Sequence, residues 1–156
     1  MTNDRIIIRA MKKTEAEAVA AILQYYASRA VLLWRTPEEI LAHQENFLVA
    51  MDNEDVVGCI ALQDYGNDLY ELRSLAVKHD RISNGLGRKL VEGLIEECHK
   101  RQAKRLFALT KKVAFFDKLG FSLVSKEEFP QKVWNDCILC HKKHACDEEA
   151  VVLNFN

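Results

Sequence analysis

Apolar and polar residues follow a two-residue rhythm in some stretches of this chain and a helical rhythm in others. Arg5 to Ala10, around Ile6-Ile7-Ile8, reads as a short opening strand. Thr14-Glu15-Ala16-Glu17 has the hydroxyl and carboxylate spacing of a capping box, and Val19, Ile22, Leu23 and Tyr26 follow at helical spacing, which predicts a helix to about Arg29. Thr36-Pro37-Glu38-Glu39 predicts a second helix start, with proline at the first helical position. Phe47 to Met51 and Val56 to Leu62 flank the turn-forming Asp52-Asn53-Glu54-Asp55 and read as a hairpin. Tyr65-Gly66-Asn67-Asp68 is a further turn, leading into a strand from Leu69 to Val77. Leu86, Leu90, Val91, Leu94, Ile95 and Cys98 then mark one face of a long helix, with Arg88, Lys89, Glu92 and Glu96 opposite. Leu106 to Leu109 is a brief strand, and Val113 to Leu119 a short helix stopped by Gly120. Phe121 to Val124 and Val151 to Phe155 are the last strands. No repeat, low-complexity tract or Gly/Ser-rich linker interrupts the pattern, so residues 1–156 are expected to form one α/β domain.

The net charge of −1 offers no basic excess to displace counterions, which argues against nucleic acid as the main partner. No apolar stretch approaches the roughly 20 residues of a membrane-spanning helix. Met1 to Arg9 has neither the long apolar segment nor the cleavage site of a secretory signal, so a cytoplasmic location is expected. The cysteines are Cys59, Cys98, Cys137, Cys140 and Cys146, an odd number that favours reduced thiols. Cys59 and Cys98 fall within apolar periodic segments and read as core packing. Cys137, Cys140 and Cys146, with His141 and His144 between them, have a spacing that zinc could use, but packed thiols are the plainer reading and no metal is assigned.

The densest chemical signal is Leu75-Ala76-Val77, a polar loop, and then Ser83-Asn84-Gly85-Leu86-Gly87-Arg88 opening the long helix. Glycines at a helix start let backbone approach a bulky anion, and the unpaired N–H groups and helix dipole attract it. The spacing does not fit a P-loop, and a dinucleotide fingerprint needs a third glycine where Leu90 stands. This strand, loop, Gly85-x-Gly87 and long helix, followed by Phe115-Phe116-Asp117-Lys118-Leu119-Gly120-Phe121, resembles the GNAT acetyltransferase superfamily over nearly the whole chain. The resemblance implies a mixed six- or seven-stranded sheet with helices on both faces and acetyl-coenzyme A as co-substrate. It also implies that backbone groups of Leu75, Ala76 and Val77 hold the pantetheine arm and that the loop Ser83 to Arg88 holds the pyrophosphate. There is one departure: the superfamily usually carries Gln or Arg three residues before the first glycine, where this chain has Ile82 preceded by Arg81.

A narrower similarity covers Tyr70-Glu71-Leu72-Arg73-Ser74-Leu75-Ala76-Val77 and Phe129-Pro130-Gln131-Lys132-Val133-Trp134-Asn135-Asp136-Cys137-Ile138-Leu139-Cys140. These stretches are similar to the short, stand-alone N-acetylglutamate synthases. That similarity implies acetylation of the α-amino group of L-glutamate, the first step of arginine biosynthesis. On this reading Glu71 is the general base. In a regular strand it shares a face with Arg73, Leu75 and Val77. Phe115 and Phe116 occupy the region where many GNAT enzymes place a proton-donating tyrosine. The similarity to glutamate-acetylating relatives implies Thr110, at the end of the preceding strand, as a candidate hydroxyl, and a coenzyme A thiolate can also leave without a dedicated acid. Guanidinium and ammonium groups suit the two carboxylates of glutamate, and Arg35, then Lys132, then Arg73 are the candidate substrate contacts. Arg73 has a second reading, as the ion-pair partner of Glu71.

The expected partner is therefore a small amino acid, with neither nucleic acid nor membrane, and a homodimer is compatible with the reading. Two alternatives stand beside it. One is a GNAT enzyme acting on glutamine, aspartate or a peptide N-terminus. The other is a non-catalytic acetyl-coenzyme A sensor or cysteine-rich interaction module on the same scaffold.

Overall fold

Phe47, Val49 and Met51 alternate with Leu48 and Ala50, and that alternation gives the central strands two usable faces. In the computed structural model, which describes residues 5–27, 35–82, 85–129 and 148–155, both faces are used. The strands are β1 (Ile6–Ala10), β2 (Phe47–Asp52), β3 (Asp55–Asp64), β4 (Leu69–Val77), β5 (Arg105–Thr110), β6 (Ser122–Val124) and β7 (Glu149–Asn154). The helices are α1 (Ala16–Ala27), α2 (Pro37–Ala42), α3 (Leu86–Lys100) and α4 (Val113–Asp117). The strands form a seven-stranded sheet in the order β1-β2-β3-β4-β5-β7-β6. The β4–β5 pair is parallel, whereas β1–β2, β2–β3, β5–β7 and β6–β7 are antiparallel, which is the mixed sheet expected.

The chain packs as two compact units, Met1–Leu62 with Leu72–Glu97 and Gln63–Glu71 with Cys98–Asn156. In the first unit, Val19, Ile22 and Leu23 of α1 and Ile40 of α2 bury against Phe47, Val49, Met51, Cys59, Ala61 and Ala76. The opposite face carries α3. A Cβ on Gly58 would lie 3.0 Å from Leu90 Cδ1 and 3.1 Å from the Ala76 carbonyl oxygen, so this glycine lets helix and strands close up. In the second unit Tyr65, Leu69, Phe107, Phe129, Ala150 and Val152 form a separate apolar cluster. No helix among the described residues is long and apolar enough to cross a membrane.

Local signals act largely as the sequence predicts. Thr36 caps α2, its Oγ1 accepting the Glu39 N–H at 3.1 Å, and Pro37 stands at the first helical position. Asp52 and Asp55 close the β2–β3 hairpin, with Asn53 at φ +56. Gly120 ends the short helix at φ +97, donating to the Asp117 carbonyl while Phe121 N–H donates to Phe116, the paired bonds of a Schellman cap. The predicted capping box Thr14–Glu17 does not form. Thr14 lies inside a 3-10 turn, Lys13–Glu15, and α1 starts at Ala16. Glu15 instead accepts the Lys12 N–H at 2.8 Å and two guanidinium contacts from Arg9, so a carboxylate two residues earlier caps the 3-10 turn that leads into α1.

Candidate active site

Strand β4 and the start of α3 carry most of the residues assigned to the acetyl donor. Ser74, midway along β4, has φ +55, a left-handed conformation that costs an L-residue roughly 1–2 kcal/mol. The strand irregularity therefore sits immediately before Leu75. It also interrupts the two-residue alternation, so a shared face for Glu71, Arg73, Leu75 and Val77 does not carry across it. Cys59 Sγ lies 3.4 Å from the Ser74 carbonyl oxygen and donates to it. Further along, the Tyr26 hydroxyl donates to the Val77 carbonyl, and Lys78 N–H donates to Val57 at 2.9 Å. Burial pushes the Tyr26 phenol above its usual value and so preserves it as a donor. Ala76 is buried, while Leu75 and Val77 are half-buried. A cleft of about 620 Å³ runs along α1 beside this strand end, with Tyr26, Lys78 and His79 in its wall. Tyr25, also in that wall, stacks on His79 with ring centroids 4.5 Å apart.

At the helix entry Gly85 has φ +75, and its carbonyl accepts the Lys89 N–H at 3.2 Å. Gly87 and Arg88 follow in the first turn of a 15-residue helix. Such a turn presents unpaired N–H groups to an anion. Two neighbouring basic side chains are paired with carboxylates. Arg88 Nε meets Glu92 at 3.2 Å, and Arg81 Nη1 donates to Asp52 Oδ2 at 2.7 Å. Asp52 is buried at the end of β2, where Arg5 also reaches it. The Arg81 guanidinium, with Arg5 adding its charge, holds the Asp52 carboxyl below the usual carboxylate range, and Asp52 raises Arg81 in return. Arg81 thus anchors the segment after β4, while Ile82 is exposed. Ser83 and Asn84 lie outside the described residues.

The candidate base lies in the second unit. Glu71 is 7% exposed, and the Tyr65 hydroxyl donates to its Oε1 at 2.8 Å. Glu71 pairs in register with Phe107, the last rung of the β4–β5 ladder, and Phe107 stacks on Phe129 at 4.1 Å. Thr110 ends β5 and is buried. Its Oγ1 accepts the Lys112 N–H at 2.8 Å, and it sits three residues from Phe107, on the opposite parity of the strand. Arg35, just before the α2 cap, and Arg73, on β4, are half-buried. Lys132, Cys137, Cys140 and Cys146, with His141 and His144, lie outside the described residues. Sequence reasoning missed two participants, Tyr65 and Asp52, because both read as turn residues.

Residues 10–121 match the acetyltransferase (GNAT) family. An uncharacterized N-acetyltransferase of Chlorobaculum tepidum is 38% identical over 145 residues, covering 93% of this chain and 94% of the relative. An amino-acid acetyltransferase of Mycobacterium tuberculosis is 27% identical over 135 residues, 85% of this chain and 77% of that protein. Among solved structures, N-acetylglutamate synthase from Neisseria gonorrhoeae, complexed with coenzyme A and N-acetyl-glutamate, superposes with a TM-score of 0.84 at 24% identity. The match takes in 97% of this chain but 35% of the synthase, so this chain spans about a third of that longer protein. The match over residues 10–121 and the Chlorobaculum relative together place the chain in the GNAT acetyltransferase family, whose acetyl donor is acetyl-coenzyme A.

Proposed function

We propose that this acetyltransferase transfers the acetyl group of acetyl-coenzyme A directly to the α-amino group of L-glutamate, with Glu71 as general base. The observation that carries the reading is the buried Glu71 carboxylate, fixed by a tyrosine hydroxyl on the strand that continues into Leu75–Val77. Acidic side chains are seldom this buried without a partner and a task. The Mycobacterium tuberculosis relative, an amino-acid acetyltransferase aligned over most of both chains, supports an amino acid as acceptor.

In this scheme Glu71 takes a proton from the substrate ammonium, directly or through water. The freed amine attacks the thioester carbonyl carbon, a C–N bond forms and the C–S bond breaks. The cleaved sulfur leaves as thiolate and takes up the second proton that the acylated nitrogen must shed, directly or through the Thr110 hydroxyl, which gives one proton and receives one. Backbone N–H groups around Leu75, Ala76 and Val77 stabilise the developing oxyanion, an aimed donor being worth roughly 3 kcal/mol of barrier. The N–H groups from Ser83 to Arg88 hold the diphosphate. Arg35, Lys132 and Arg73 supply cations for the two carboxylates of glutamate.

A thiol-release assay with acetyl-coenzyme A and a panel of glutamate, glutamine, aspartate and a peptide N-terminus tests the acceptor. Glu71→Gln is expected to lower kcat by about 10²–10⁴-fold with acetyl-coenzyme A binding retained, and Arg35→Ala to raise KM for glutamate. Undiminished turnover in Glu71→Gln removes the base. Faster turnover of glutamine than of glutamate removes the acceptor, and tight donor binding with no acetylation of any amine favours a sensor.

A further inference from the structure

We propose that Tyr65 is a positioning residue for the reaction, holding the Glu71 carboxylate in one orientation and in its charged form. The inference rests on the reading of Glu71 as base. Glu71 lies where water cannot solvate it freely, and burial alone disfavours a carboxylate's charge. A base must nevertheless be ionised before it can accept a proton. The Tyr65 hydroxyl, 2.8 Å from Oε1, is a donor that favours the charged form.

Several contacts fix that hydroxyl in place. Tyr65 is 9% exposed, and its ring belongs to the apolar cluster of Leu69, Phe107 and Phe129, with the Phe107 ring centroid 6.0 Å away. Its backbone is equally constrained: Tyr65 N–H donates to the Leu69 carbonyl at 3.0 Å, and Leu69 N–H donates to Gly66 at 3.1 Å. Gly66, Asn67 and Asp68 all take positive φ, and the Asp68 carbonyl accepts from Lys104 and Arg105 at the start of β5. The turn is therefore built into the strand that pairs with Glu71, and it delivers a phenol to the carboxylate from six residues away. A tyrosine that only filled the core would do so as well through its ring alone.

Tyr65→Phe separates the two roles because it keeps the ring and deletes the donor. The expected result is a fall in kcat of about tenfold, the worth of one hydrogen bond to a charged group. KM for acetyl-coenzyme A stays near wild type, while the thermal transition falls by about 2–4 °C because the buried carboxylate has lost a donor. The acid limb of the kcat/KM profile moves to higher pH, since the carboxylate has lost a donor that favoured its ionised form. In a Glu71→Gln background the same substitution causes no further loss of kcat, because Tyr65 acts through Glu71. An acid limb that stays at its wild-type position, or an additive loss in the double variant, overturns the role of Tyr65 and leaves the base reading intact. Undiminished turnover in Glu71→Gln alone overturns both.

Discussion

Gly93 lies in the middle of α3, where glycine is about 1 kcal/mol less favourable than alanine. On a helix exposed at that point, Gly93→Ala would stabilise the protein by about that amount. Here the added Cβ would meet Ile8 Cγ2 on β1 at 2.7 Å, with Ile8 Cβ at 3.5 Å and Leu48 Cδ1 at 3.7 Å. Carbon atoms pack best at about 3.5–4.0 Å, so the new methyl overlaps a branch carbon held close to the strand backbone. Overpacking of this kind costs about 1–3 kcal/mol, which outweighs the gain in helix propensity. The net expectation is a loss of about 1 kcal/mol, or about 2–4 °C in Tm for a chain of this size. The offending atom is Cγ2, which valine retains and leucine and alanine lack. Urea unfolding should therefore show Gly93→Ala destabilising in the wild-type and Ile8→Val backgrounds. It should become stabilising by about 1 kcal/mol in Ile8→Ala, where only the propensity gain remains. The reasoning fails if Gly93→Ala stabilises the wild type, or if Ile8→Val relieves it as fully as Ile8→Ala does.

Two further outcomes follow from the described contacts. Because the Asp52 carboxyl is held below its ordinary value near 3.8, its contribution to stability is complete above that value and is lost as pH falls through the lower folded value. The gap in urea midpoint between wild type and Asp52→Asn should be constant near neutral pH and narrow in acid, and a gap independent of pH would refute the assignment. The Cys59 thiol is buried and pushed up to about 12, so almost no thiolate exists at neutral pH. Iodoacetamide should modify Cys59 only after unfolding, as read by peptide mass mapping, and rapid modification of the native chain would contradict its burial.

Features written by neighbours in sequence were legible: Thr36-Pro37-Glu38-Glu39 caps its helix, Asp52 to Asp55 turns its hairpin, and Leu69–Val77 is the strand its composition predicts. The errors and omissions lie where a distant group decides the outcome. Thr14 loses the α1 cap because Glu15 is drawn to Arg9 and the Lys12 N–H. Asp52 has the composition of an exposed turn acid, yet it is buried by Arg5, 47 residues away, and Arg81, 29 residues away. Ser74 adopts a conformation usually left to glycine or asparagine, against its own local preference, with the Cys59 thiol on its carbonyl. Tyr65 could be placed beside a turn, but its bond to Glu71 depends on how three consecutive left-handed residues aim it. Periodicity specifies which face of an element is apolar, not which polar atoms meet.

That division bears on the proposed chemistry. Arg81 and Arg88, two of the basic residues near the glycine turn, are paired with carboxylates, Asp52 and Glu92. On the proposed reading, the attraction offered to a diphosphate comes chiefly from backbone N–H groups and from the α3 dipole, worth roughly half a charge at the helix start. Backbone groups survive side-chain replacement, so Ile82 in place of the usual Gln or Arg need not weaken donor binding, and relatives far apart in sequence can share one acetyl donor. Acceptor recognition has no such protection. On the proposed reading it is carried by the charged ends of Arg35, Arg73 and Lys132, and one substitution among them changes which amine is held. Family membership therefore constrains the donor much more tightly than the acceptor, and the amino-acid panel discriminates among the readings where further structural likeness would not.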